Sequence, residues 1–172
     1  MEHMEEYKIP EDAIEKLRDP EVIRRQMEEG KTFQEIIGYS NEAMEKFYLI
    51  AHGLFQQQEY QKAADAFVFL TTLNPYTHSY WLGLGMSEQL SGSYQGALLA
   101  YAMAILTDIE DPVAHYHSAT CYRAIGDLKS ALQSLKMAIR CTEERDGFTH
   151  IKEQAESSIV VLNKELEKGG EG

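Results

Sequence analysis

Few residues in this chain have the types and spacing that catalysis or metal binding needs. His115 and His117 stand two apart. On a helix that offset points them to different faces, which makes a poor metal pair. His52 has no cysteine or serine nucleophile on its own helical stripe, so a neutral histidine bonding a ligand or neighbour fits it better than a base. Cys121 and Cys141 are the two cysteines; they make neither a disulfide framework nor a metal knuckle, and they fit a reduced compartment. Gly83 and Gly85 lack a third glycine and fall inside a helical pattern, which excludes a phosphate loop. The reading is no catalytic residue, no metal and no cofactor. The remaining chemistry is recognition. Glu45, Tyr48, His52 and Phe55 form one helical stripe, Ser79, Leu82, Met86 and Gln89 a second, and Val113, Tyr116, Thr120 and Arg123 a third. Hydroxyl-bearing aromatics and a flexible methionine suit a surface that holds an extended apolar peptide.

The elements that must position these stripes repeat at a fixed interval. Ala63, Ala97 and Ala131 are 34 residues apart, as are Ala51, Gly85 and Ala119, and Phe67, Tyr101 and Leu135. A period of 34 is the tetratricopeptide length, one helix–turn–helix per repeat. The middle repeat carries the pattern best, with Trp81, Leu84, Gly85, Ala97 and Tyr101. Core positions on each first (A) helix are 4, 7, 8 and 11, so Phe47, Ile50, Ala51 and Leu54 are expected to be core in the first repeat. The stripe at positions 2, 5, 9 and 12 is a second apolar face, and a helix apolar on two faces has two things to bury against. In stacked helical repeats the A helices line the concave side, so this stripe is expected to face a groove. Tyr76, just after Pro75, sits at the groove entrance. The competing expectation is that terminal segments of the same chain cover the stripe.

The fold class is therefore all-α: an α-solenoid of three tetratricopeptide repeats with an N-terminal helical arm and a C-terminal capping helix. We expect one domain over 1–172, with the arm at 10–40, repeats over 44–143 (windows 44–77, 78–111 and 112–145) and the cap at 146–167. Pro10, Glu11 and Asp12 open the arm, and Asp19-Pro20 either splits or kinks it. Ser40 or Asn41 caps the first repeat helix. Gly92 and Gly126 sit in the turns inside the second and third repeats. Residues 1 to 9 are expected to be frayed and the glycine-rich end disordered. The arm's apolar groups either pack on the first repeat or associate with a second copy.

Charge narrows the partners. The chain of 172 residues carries a formal net charge of −12. That opposes phosphate backbones and anionic membrane surfaces, so neither nucleic acid nor direct membrane binding is expected. No signal-peptide pattern and no run of about 18 apolar residues is present.

Two stretches carry a more specific resemblance: FYLIAHGLFQQQEYQKAADAF, and LNPYTHSYWLGLGMSEQLSGSYQGALLAYAMAILTDIEDP. Their LGLG after an aromatic pair and the D-I-x-x-P ending resemble the tetratricopeptide (class II) chaperones of type III secretion translocators, the SycD/LcrH/IpgC-like family. The resemblance covers about residues 30 to 145. It implies a homodimer in the bacterial cytoplasm that holds hydrophobic translocator proteins before export. It also implies an extended cargo segment, often P-x-L-x-x-P, lying in the concave groove. Positions matching the family's aromatic pockets are Tyr48, Phe55, Tyr60, Tyr76 and Tyr101, with Leu82 and Met86 on the same face. Phe55 departs from the tyrosine expected there.

Two other binding readings compete. An adaptor clamping an acidic C-terminal peptide would need Lys, Asn and Arg in the groove. The corresponding positions here include Tyr48, His52, Gly83, Val113 and His117, and Arg123 is the one fixed cation of the stripe. A scaffold binding a peptide of a folded partner would want a charged rim and fewer pockets.

Overall fold

Three turns set the frame. At Gln58, Gly92 and Gly126, again 34 apart, the backbone turns left-handed, with φ of 63°, 86° and 84°. Each turn closes the same way. Glu59 N–H donates to Leu54 O at 3.0 Å, Ser93 N–H to Glu88 O at 2.9 Å, and Asp127 N–H to Tyr122 O at 2.9 Å. These six-to-one bonds satisfy carbonyls orphaned at a helix end. Glycine makes the left-handed position cheap in two repeats; Gln58 carries a Cβ there, at a cost of about 1 kcal/mol.

The structure is a computed structural model that describes residues 10–169; the expected frayed start over 1–9 and the tail at 170–172 lie outside the described residues. All regular structure among the described residues is helical: α1 (Glu11–Leu17), α2 (Pro20–Glu28), α3 (Phe33–Ile37), α4 (Asn41–Gln56), α5 (Tyr60–Leu73), α6 (His78–Leu90), α7 (Tyr94–Thr107), α8 (Pro112–Ala124), α9 (Leu128–Glu144) and α10 (Thr149–Gly169). The fold is all-α, with helix pairs α4–α5, α6–α7 and α8–α9 in α-solenoid order. The Asp19 carboxylate caps α2, accepting from Glu21 N–H at 3.0 Å with Pro20 in the first turn, so the arm is split there and not merely kinked. Thr32 and Glu35 form a reciprocal capping box on α3. Ser40 caps α4 by accepting from Ala43 N–H at 3.1 Å.

The chain divides into two compact units, residues 1–80 and 81–172. In the first, Ala51, Ala63, Ala64, Phe67, Leu70 and Leu73 are buried between α4 and α5, and Ile36 and Ile37 bring α3 onto them. Small residues at Ala51 and Ala63 let the helices approach closely. Gln34, itself buried, ties this unit together. Its amide donates to Asn41 Oδ1 at 3.0 Å and Tyr39 O at 3.3 Å, while its carbonyl accepts from Asn74 Nδ2 at 3.1 Å. One side chain thus joins arm, first helix and second helix. The core expectation fails at Ile50, which is 50% exposed. Among the described residues of this unit α4 packs chiefly on α5, which leaves this position open.

In the second unit one cluster gathers Ala97, Tyr101, Ala104, Ala114 and Cys121, with Trp81, Leu82 and Met86 packed on it. The other gathers Ala119, Ala131, Leu135, Ala155 and Leu162, where α10 lies over the last pair. Burial pushes the Cys121 thiol up to about 11, so it stays protonated and unreactive.

Candidate functional site

The stripe on α4 is held up by rings behind it. Tyr48 is half-buried, with its ring 6.1 Å from Phe67, 5.9 Å from Tyr80 and stacked at 6.1 Å on His52. Two turns along, Phe55 meets Tyr60 edge-on at 5.5 Å. Such pairs fix ring orientation beyond what burial alone does. His52 is exposed at the outer edge. Burial raises the Tyr80 phenol above its usual range, with the Glu45 carboxylate adding to it, so it stays a neutral donor. Tyr76 stands 74% exposed in the loop before α6, its N–H donating to Asn74 Oδ1 at 3.1 Å. The first unit therefore brings together Tyr48, His52, Phe55 and Tyr60 along one helix pair, and leaves Tyr76 out in solvent. Tyr80 belongs to the Tyr48 group and was missed as a site residue; its place in the aromatic pair before LGLG was the available signal.

In the second unit, Leu82 and Met86 are half-buried on α6 and rest on the Tyr101 cluster. Gln89, one turn on, accepts a hydrogen bond from the Tyr101 hydroxyl at 2.7 Å. Tyr101 is completely buried; it lies beneath this face, not on it. Tyr116 on α8 meets His117 edge-on at 5.5 Å and borders a polar depression of about 350 Å³ with His150, Glu153 and Gln154 of α10. The Arg123 guanidinium binds Glu165 of α10, with Nε at 3.3 Å and a second, shorter contact. At the third-repeat end the chain's own last helix thus flanks the stripe. The cation that an acidic-peptide clamp would need is already paired.

Among the described residues no group of three or more His, Cys, Asp or Glu is placed to hold an ion. His117 stacks on Tyr101 at 5.8 Å. His115 Nε2 and His117 Nδ1 are buried and unbonded. Burial holds both imidazoles below their ordinary value of 6.5, against a weaker opposing pull from Asp111. The unfolded chain then binds more protons, so stability is full above pH 6.5 and falls as pH drops through that value toward the lower folded one. We expect the thermal midpoint to fall between pH 7 and pH 5, and His117→Phe, which keeps the stack, to flatten that slope. An unchanged slope in the variant would mean that other groups set it.

No helix among the described residues is long and apolar enough to cross a membrane.

Comparison with known proteins adds to this geometry. No family model matches the chain. It is 28% identical over 140 residues to the low calcium response locus protein H of Yersinia pestis, covering 80% of this chain and 83% of that protein. The structure resembles PcrH of Pseudomonas aeruginosa, solved with the chaperone binding region of PopD, at a TM-score of 0.73 and 26% identity over 74% of this chain and 96% of that one. It also resembles the Yersinia enterocolitica type III secretion chaperone SycD, solved with a peptide of the translocator YopD, at a TM-score of 0.70 and 26% identity over 73% of this chain and 96% of that one. SycD has been solved in an alternative dimer as well. Repeat order and likeness along most of each relative agree: the chain is similar to the SycD/LcrH-like tetratricopeptide translocator chaperones of type III secretion.

Proposed function

We propose that this chaperone holds an extended apolar segment of a translocator protein along the A-helix stripes, from Tyr48, His52 and Phe55 to Leu82, Met86, Gln89 and Tyr116. Tyr60, Tyr76 and Tyr101 border or underlie that groove, and Arg123 ends it in its pair with Glu165. The observation that carries the reading is the make-up of the two faces. On α4 and α6, Tyr48, Phe55, Leu82 and Met86 are half-buried apolar bodies braced from behind, with His52 and Ser79 exposed beside them, and Glu45 is the one acid in either row. Such faces bury a ligand's apolar side chains while their braced rings lose little freedom. A proline-containing segment is already extended, so it too loses less entropy on binding. The work is binding without a reaction, and its place is the bacterial cytoplasm, where cargo waits for export.

Co-expression tests this. A type III secretion translocator that aggregates alone is expected to become soluble with this chain and to co-purify with it, as read by mass spectrometry. Translocator that stays insoluble and absent from the purified chain would overturn the reading.

The same reading makes the chain a homodimer through its arm. The α2 face of Ile23 and Met27, with Pro20, Arg24 and Glu28, borders an open depression of about 510 Å³, and Met27 is 56% exposed. Ile23→Asp with Met27→Asp is expected to give a monomer by sedimentation; an unchanged dimer moves the interface out of the arm.

A further inference from the structure

Tyr101 is fixed from every side within its unit. It is completely buried, its ring lies flat on His117 at 5.8 Å, and its edge fills the space over Gly85, where a Cβ would come within 2.5 Å of it. Its hydroxyl bonds Gln89 Oε1 at 2.7 Å. Burial keeps that phenol protonated, so it must donate, and the group that accepts is the Gln89 carbonyl. The Gln89 amide is thereby oriented, with its oxygen on the phenol and its NH2 turned aside from it. Gln89 is half-buried and follows Leu82 and Met86 at seven and three residues, on one face of α6.

We propose that Gln89 reads the main chain of the bound segment, donating from its amide to one backbone carbonyl, with Tyr101 as the positioning residue that fixes the amide. This rests on the groove reading above and deepens it. An extended segment makes no hydrogen bonds of its own, so each carbonyl it buries needs a donor. Proline removes donors from the segment but keeps every carbonyl. A fixed donor beside two apolar contacts therefore matches an apolar, proline-containing ligand whose side chains offer no polar handle. It also sets register, because one carbonyl is chosen along the chain.

The test is calorimetric titration with a synthetic peptide of the pattern Pro-x-Leu-x-x-Pro, and with copies carrying one backbone thioamide each, sulfur being the weaker acceptor. Wild type is expected to lose affinity for one thioamide copy. Gln89→Ala is expected to weaken the parent peptide about tenfold, as for one lost buried hydrogen bond, and to lose that thioamide sensitivity. Gln89→Glu still accepts from Tyr101 but offers no donor, so it should bind no better than Gln89→Ala. Tyr101→Phe frees the amide and should fall between, with helicity retained by circular dichroism. Gln89 variants that bind like wild type, or that keep the thioamide penalty, would overturn the proposal while leaving the groove intact. Sensitivity to N-methylation in place of the thioamide would show the amide turned the other way and overturn it too. If wild type binds none of these peptides, the groove reading fails and takes this one with it.

Discussion

Gly85→Ala is expected to destabilise the chain by about 1–3 kcal/mol, the usual cost of forcing a group into a packed core. This runs against helix propensity, which favours alanine over glycine by about 1 kcal/mol in a helix interior. Packing wins because the added methyl would sit 2.5 Å from Tyr101 Cε1 and 2.6 Å from Cδ1. The ring cannot yield, since it is fully buried, stacked on His117 and held by Gln89. Gly53, in the last turn of α4, has nothing within 4 Å of its would-be Cβ. There the propensity term acts alone, and Gly53→Ala is expected to stabilise by about 0.5–1 kcal/mol. Two glycine-to-alanine changes within helices thus carry opposite signs. In a Tyr101→Leu background the Gly85→Ala penalty should shrink, because the two residues compete for one volume. Urea unfolding of the four variants and wild type reads all of this. A Gly85→Ala protein more stable than wild type would show that the ring moves aside freely.

Tyr48→Ala is expected to weaken cargo binding by about 2 kcal/mol or more, the scale of a central aromatic contact. The same truncation unbraces its neighbours, since Tyr48 touches Phe67, Tyr80 and His52. The stability loss should stay below the roughly 3–5 kcal/mol of a fully buried aromatic, because Tyr48 is only half-buried. Tyr48→Phe separates the two effects. It keeps every ring contact and removes only the hydroxyl, so its stability should match wild type, and any loss of binding reports a hydroxyl contact to cargo. Circular dichroism alongside calorimetry decides the case. Full-strength binding by Tyr48→Ala would take Tyr48 out of the groove.

The repeat period made the helices and their turns legible, because those follow from local rules. Gly92 and Gly126 occupy the left-handed turn that spacing alone requires, while Gln58 takes the same position without glycine's freedom, forced by the helices on either side. Depth was less legible. Phe67 and Tyr101 share a column and are both buried, yet Ile50, a core position by pattern, is half exposed. A column records a residue's direction on its own helix, and burial depends on what stands opposite. Long-range polar pairs were not legible at all. Arg123 reads as a lone cation until Glu165, 42 residues later, closes on it. Gln34 reads as a polar residue in a thin arm, yet its amide joins three elements. The orientation of Gln89 depends on Tyr101, 12 residues away on the next helix.

The proposed function has an extended translocator segment held on the A-helix stripes. Site-specific photocrosslinking tests it most directly. Benzoylphenylalanine would replace Phe55 in the first unit and Met86 in the second, with Leu106, 77% exposed on α7, as the control. Crosslinks are expected from positions 55 and 86 to a short translocator segment, and none from position 106. Crosslinks confined to position 106, or joining positions 55 and 86 to scattered cargo sites, would contradict the proposed function.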